Sequence, residues 1–147
     1  MIEINNLTGY PILGHAVDKK IFSTVAKKVL LGENRGTETL SLAFIGKEEI
    51  KKLNKKFRGK NKPTDVLSFG NVSCSMFHVP SEGLGEVVIC SSVVKENSLK
   101  YKIDFKKEML KVFVHGILHL CGYNHEKSKE AEEMEKKQEH YLSEGSF

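Results

Sequence analysis

The chain lacks any run of apolar residues approaching the roughly 20 needed to cross a bilayer, so no membrane span is expected in its 147 residues. Its opening, MIEINNLTGY, lacks the basic start and apolar stretch of a secretory signal. The expectation is a protein that stays in the cytoplasm and has no membrane partner. Cysteine is scarce. Cys74, Cys90 and Cys121 are an odd number with no close pair, which argues against a disulfide framework and against a CxxC metal site. No repeat, low-complexity tract or interdomain linker interrupts the chain, which reads as one domain spanning residues 1–147. Tryptophan is also absent, which excludes nothing.

What remains is ordinary in bulk and uneven in detail. Hydrophobic residues make up 39% and charged ones 29%, a globular composition in a chain long enough to bury roughly 70% of its unfolded surface. The net charge is +4, yet Lys47, Lys51, Lys52, Lys55, Lys56, Arg58, Lys60 and Lys62 face only Glu48 and Glu49 within one stretch. That stretch carries +6 and the rest of the chain −2. A basic patch on a near-neutral body suits a polyanionic partner. A lysine run alone, however, is more often a solvated helix face.

Periodicity predicts the order βαβαββααα. Met1 to Leu7 alternates weakly, as an edge strand would. Asp18 can cap a helix to about Leu31 whose apolar face is Ile21, Phe22, Val25, Val29 and Leu30. Thr39 to Ile45 alternates as a strand. Lys47 to Phe57 is an amphipathic helix with Ile50, Leu53, Asn54 and Phe57 inward. Residues 61–65 are turn chemistry, Val66 to Phe69 a short buried strand, and Gly70 to Gly85 a loop long enough to be functional or mobile. A strand over Glu86 to Cys90 follows, then a helix capped by Ser91 or Ser92 and ending near Tyr101. Two more helices run from Phe105 to Leu120, capped by Asp104, and from Ser128 to Leu142. Helices segregated late imply an α+β fold, a small mixed sheet with helices packed on it.

The helix from Phe105 to Leu120 is apolar on most sides, which marks it as buried. Its polar stripe is Lys111, His115 and His119. A spacing of four rotates about 40° beyond a full turn and rises about 6 Å, so His115 and His119 project from one face and can converge on one ion. Gly122 is placed to end the helix in a left-handed cap, and Tyr123-Asn124 can turn the chain back so that His125 meets the same ion. One such histidine would be an ordinary core residue, and two are evenly balanced between readings. Three on a buried helix and its exit turn point to a metal, because buried imidazoles without partners are costly. Three imidazoles and one open position describe catalytic zinc. Cys121 reads as a small core residue, and His15, His78 and His140 as surface or incidental. Gly116 stands where zinc proteases of the HExxH type carry their general-base glutamate, so that mechanism is not expected.

These residues, His115-Gly116-Ile117-Leu118-His119-Leu120-Cys121-Gly122-Tyr123-Asn124-His125, closely resemble the signature of the YbeY family of bacterial rRNA-maturation endoribonucleases. Leu53 to Lys60 followed by Pro63 to Phe69 resembles a second block of that family, and Leu84 to Ile89, more weakly, a third. The likeness extends from about Leu40 to Leu142. It implies a zinc-dependent, single-strand-specific endoribonuclease acting in 3′-end maturation of small-subunit rRNA and in ribosome quality control. Its partners would be rRNA, the small subunit and assembly factors rather than DNA. The resemblance makes His115, His119 and His125 the ligands of one Zn²⁺ and Arg58 the other catalytic residue. Arg58 suits phosphate through its planar, permanently charged fork. Thr64 and Asp65 read as builders of a turn.

Two other functions fit the residues less closely: a metallohydrolase of a different substrate, and a non-catalytic ribosome-assembly module with a structural metal. The sequence also departs from the family where it has Asn124 and Glu86 in place of the usual aspartates, and Gly70 where proline is common. Asn and Asp both bond their own backbone in tight turns, so Asn124 should preserve the turn before His125. We expect Asn124→Asp to change catalytic rate and zinc affinity by less than about tenfold, the low end for residues behind a metal ligand. A hundredfold gain in rate in the purified variant would show instead that the missing carboxylate is chemical.

Overall fold

The computed structural model describes residues 2–8, 19–70, 83–123 and 128–143. Its elements are β1 (Ile2–Asn6), α1 (Lys19–Gly32), β2 (Leu40–Phe44), α2 (Lys47–Arg58), β3 (Val66–Gly70), β4 (Gly85–Ile89), α3 (Ser91–Tyr101), α4 (Phe105–Leu120) and α5 (Ser128–Ser143). The expected α+β architecture is present. The four strands lie in the order β1-β2-β4-β3. β1 and β4 run parallel to β2, and β3 pairs antiparallel with β4, which leaves β1 and β3 at the edges.

Side chains alternate across a strand, so the sheet has two distinct faces. Leu40, Leu42, Phe44, Val87 and Ile89 point to the face covered by α1 and α4, where Phe22, Val25, Val29, Met109, Phe113, Ile117 and Leu118 complete the main core. Phe22 packs edge-on to both Phe44 and Phe113. Each such fully buried side chain contributes about 1.5–3 kcal/mol relative to exposure. On the opposite face Leu67, Val88 and Cys90 meet Ile45 and the inner side of α2, Ile50 and Leu53. The buried amide of Asn54 donates to the carbonyl of Lys62 at 2.8 Å, tying α2 to the turn before β3. α2 stops after Arg58 because Gly59 adopts a left-handed conformation (φ 72°) and donates to Lys55.

Helix starts depart from expectation in one place. Ser91 is the first residue of α3 rather than its cap; the cap position is Cys90, with no side-chain hydrogen bond. Strand β3 is also less buried than expected. Only Leu67 is fully covered, because β3 lies at the sheet edge. Asp18 and most of the 70–85 loop lie outside the described residues. No helix among the described residues is long and apolar enough to cross a membrane.

Glu86 is the unusual core residue. It lies in the central strand β4 with 1% of its surface exposed, and its Oε2 has no hydrogen-bond partner among the described residues. Burial pushes its carboxyl up from 4.5 to about 7, against a hydrogen bond from Ser41, with the charge of Glu3 adding to the rise. The folded chain therefore holds a proton that the unfolded chain releases between about pH 4.5 and pH 7. Stability from the neutral form is complete below that window and falls as pH rises through it, by up to about 3 kcal/mol. We expect Glu86→Gln to match the parent's stability near pH 4.5 and to exceed it by about 1–3 kcal/mol at pH 8. Urea unfolding at both values checks this; an equal gap at the two pH values would contradict it.

Candidate metal centre

Helix α4 is built to hold a polar stripe inside an apolar environment. Its start is fixed by Asp104, whose side chain accepts from the Lys107 amide at 3.1 Å. Met109, Leu110, Val112, Phe113, Val114, Ile117 and Leu118 are buried around it. Gly116 lets it settle onto the sheet, since a Cβ there would meet Val87 Cγ1 at 2.7 Å and Ser68 Oγ at 3.2 Å. Position 116 thus faces the strands, so a HExxH-type glutamate placed there would collide with the sheet. The helix ends as the glycine predicted. Gly122 has φ 105°, its amide donates to His119 O at 3.0 Å, and the Tyr123 amide donates to Leu118 O at 3.1 Å. This 6→1 and 5→2 pair is the Schellman arrangement.

His115 and His119 emerge from one side of α4, both half-buried. Their Nε2 atoms face each other at 3.0 Å. Each ring is held from behind. His119 Nδ1 donates to the Tyr123 carbonyl oxygen at 2.9 Å, an acceptor that can only receive a proton. His115 Nδ1 lies 2.9 Å from Gln138 Oε1 on α5. With the proton on Nδ1, the neutral ring carries its lone pair on Nε2. Two lone pairs aimed at one another repel unless a cation lies between them.

A metal ion fits that arrangement. Nitrogens each roughly 2.0–2.1 Å from a tetrahedral ion stand about 3.3–3.4 Å apart, a few tenths of an ångström wider than the pair. The Nδ1–H···O bonds are the supports that metal-binding histidines use to fix tautomer and direction. Among the described residues no group of three His, Cys, Asp or Glu is close enough to hold a metal. The third predicted ligand, His125, lies outside the described residues, as do Asn124, His15 and His78. The structure therefore brings together two of the three predicted histidines.

Arg58 sits at the open edge of β3. Its Nη2 donates to Ser68 O at 2.8 Å, its Nη1 donates to Phe57 O at 3.3 Å, and its guanidinium lies 5.6 Å from the centre of the Phe69 ring. Ser68 also reaches the other way, its hydroxyl donating to Gly116 O at 2.9 Å. One residue thus links Arg58 to the α4 turn between the two histidines. Lys52, Lys55 and Lys56, which precede Arg58 in α2, are exposed.

Other residues of the sequence reading fall elsewhere. Glu86 neighbours Val87, whose side chain touches α4, so by strand alternation its carboxyl points to the opposite face of the sheet. Cys121 packs partly buried against the main core, and burial, then Glu33, pushes its thiol up to about 11. His140 is exposed, with its ring against Tyr141. Thr64 bonds the adjacent Asp65 carboxyl at 3.3 Å, as turn builders do. Asp65 also lines a groove of about 340 Å³ beside His115, together with Glu108, Lys111, Glu135 and Gln138.

Three contributors escaped sequence reasoning. Gln138 was legible only as an inward position of α5, although a buried amide must find a partner. The Tyr123 carbonyl carries no side-chain signal at all. Glu33 follows α1 and accepts from Tyr123 OH at 2.8 Å, from Tyr141 OH, and from Lys137 Nζ at 3.5 Å. Burial opposes its charge, but these donors outweigh it and hold the carboxyl below its usual range.

Comparison with known proteins places the chain among its relatives. The chain is 39% identical over 136 residues to an endoribonuclease YbeY of Thermotoga neapolitana, covering 90% of this chain and 86% of that one. It is 42% identical over 109 residues to that of Bdellovibrio bacteriovorus, covering 74% and 67%. A solution structure of a Thermotoga maritima protein superposes with a TM-score of 0.64 at 32% identity, covering 97% of this chain and 87% of that one. With the family described as endoribonuclease YbeY matching residues 11–146, the chain belongs to the YbeY family.

Proposed function

We propose that this protein is a zinc-dependent endoribonuclease of the cytoplasm. Its substrate would be single-stranded rRNA, cleaved in 3′-end maturation of the small-subunit RNA and in ribosome quality control. Its partners would be the small subunit and its assembly factors, not DNA or a membrane. The observation that carries this reading is the His115–His119 pair, with Nε2 atoms converging at 3.0 Å and both Nδ1 atoms supported by oxygen. His115, His119 and His125 would hold the ion, leaving one position open as catalytic zinc sites do. When bound, zinc supplies a Lewis acid toward phosphoryl oxygens and a means of ionising water near neutral pH.

The chain's own residues would do the rest. Arg58 presents a fork that matches two oxygens of one phosphate, and its bond to Ser68 O fixes that fork before substrate arrives. The exposed lysines of α2 would track the RNA backbone by charge. The groove beside His115 opens next to the histidine pair, its lining combining Lys111 with the carboxylates of Asp65, Glu108 and Glu135.

Cleavage of a precursor rRNA 3′ end is the deciding assay. We expect activity in zinc-loaded protein, loss on chelation and recovery on adding zinc. We also expect about one zinc per chain bound through nitrogen alone, lost in His119→Ala. Thiolate ligation by X-ray absorption, or unchanged metal content in His119→Ala, would overturn the ligand set. Cleavage that survives complete chelation would overturn the metal dependence.

Arg58→Ala should lower cleavage by about 10²–10³, the cost of removing one preorganised transition-state donor, with zinc content and unfolding midpoint unchanged. Arg58→Lys should recover little of it, because a point charge cannot replace a bidentate fork. Full activity in Arg58→Lys would show that charge alone matters there.

A further inference from the structure

We propose that Glu33 is a positioning residue for the histidine pair, acting through Tyr123 to set the direction in which His119 presents its Nε2. This deepens the zinc reading above and rests on it. Tyr123 is held at three points. Its amide donates to Leu118 O at 3.1 Å, its carbonyl accepts from His119 Nδ1 at 2.9 Å, and its hydroxyl donates to Glu33 Oε1 at 2.8 Å. The first bond belongs to the helix cap and would form in any sequence ending this way. The third is long-range, from a carboxylate 90 residues upstream, and it anchors the ring whose own peptide carries the oxygen supporting His119.

The same carboxylate joins three parts of the molecule. Glu33 follows the end of α1, Tyr123 lies in the exit turn of α4, and Tyr141 and Lys137 lie on α5. Lys28 on α1 adds a bond to the Tyr141 carbonyl at 3.0 Å. α5 also supplies Gln138, the support of His115. One arrangement of α1, α4 and α5 therefore supports both rings, one directly and the other through Glu33 and Tyr123. The side chain of Glu33 is 9% exposed. Burying a carboxylate costs several kcal/mol before its partners compensate, so stability alone is a weak reason for a charge here. The carboxylate offers one charged acceptor oxygen to each phenol, whereas glutamine would offer one neutral acceptor oxygen and an amide that can only donate.

The test uses the full-length protein as Glu33→Gln, Tyr123→Phe and the double variant. Zinc affinity is measured by chelator competition, and the His119 Nδ1 proton is followed by ¹⁵N NMR in metal-free protein. Each single variant should weaken zinc by about tenfold, in the range for groups behind a metal ligand. The double variant should lose no more than either single one, because the two residues act in series. In both single variants the His119 Nδ1 proton should exchange faster than in the parent.

Zinc affinity within about twofold of the parent, with an unchanged Nδ1 signal, would overturn the proposal even if thermal stability fell. Losses that multiply in the double variant would overturn the route through Tyr123. If Glu33→Gln does not fold, Tyr123→Phe carries both readouts. A parent protein that binds no zinc would sink the metal reading, and the Nδ1 signal would then decide the positioning role by itself.

Discussion

Everything at the site depends on how closely α4 lies against the sheet. Gly116 removes the Cβ that would strike Val87 and Ser68, and the helix seats with Met109, Phe113, Ile117 and Leu118 fully covered. Interiors pack at crystal-like density, so a helix seated this way cannot roll to suit a ligand. The side on which His115 and His119 leave the helix is settled by packing on its far side. Widening position 116 would displace two imidazoles that it does not touch.

Strand β3 is the second fixed reference. As an edge strand it has backbone groups that no neighbouring strand takes up, and exposed edges of this kind invite unwanted pairing. Here Arg58 occupies part of that edge through Ser68 O, while the Ser68 hydroxyl bonds α4. The cation from α2 and the histidines from α4 are thus registered to one residue on one rigid strand. The Phe69 ring below the guanidinium adds a flat apolar support, which suits the weakly hydrated face of arginine better than an ammonium.

The polar groups inside the fold divide by what their burial achieves. Gln138, Tyr123 and Glu33 form bonds that converge on the histidine pair, and their removal would leave donors or acceptors exposed to a low-dielectric interior. Glu86 does not belong to that set. It is buried on the other face of the sheet with one oxygen unpartnered among the described residues, and its burial disfavours the charged carboxylate, raising its pKa to about 7. Its place on the face away from α4 separates it from the histidine pair and its supports.

The element order, the α+β class, the Asp104 cap and the Gly122 exit of α4 were all legible from the amino-acid sequence, because periodicity, capping and left-handed glycine are local properties. The i,i+4 spacing likewise determined that His115 and His119 share a face, and the motif from His115 to His125 identified the family. Tertiary structure alone decided which way that face points, what stands behind each ring, and where Arg58 lies. Gln138 and Glu33 are far from the histidine motif along the chain, and Tyr123 contributes a backbone carbonyl that every residue type possesses. No pattern of residue identities encodes such contacts. They arise when α1, α4 and α5 are packed together, and packing is a property of three-dimensional shape rather than of spacing along the chain.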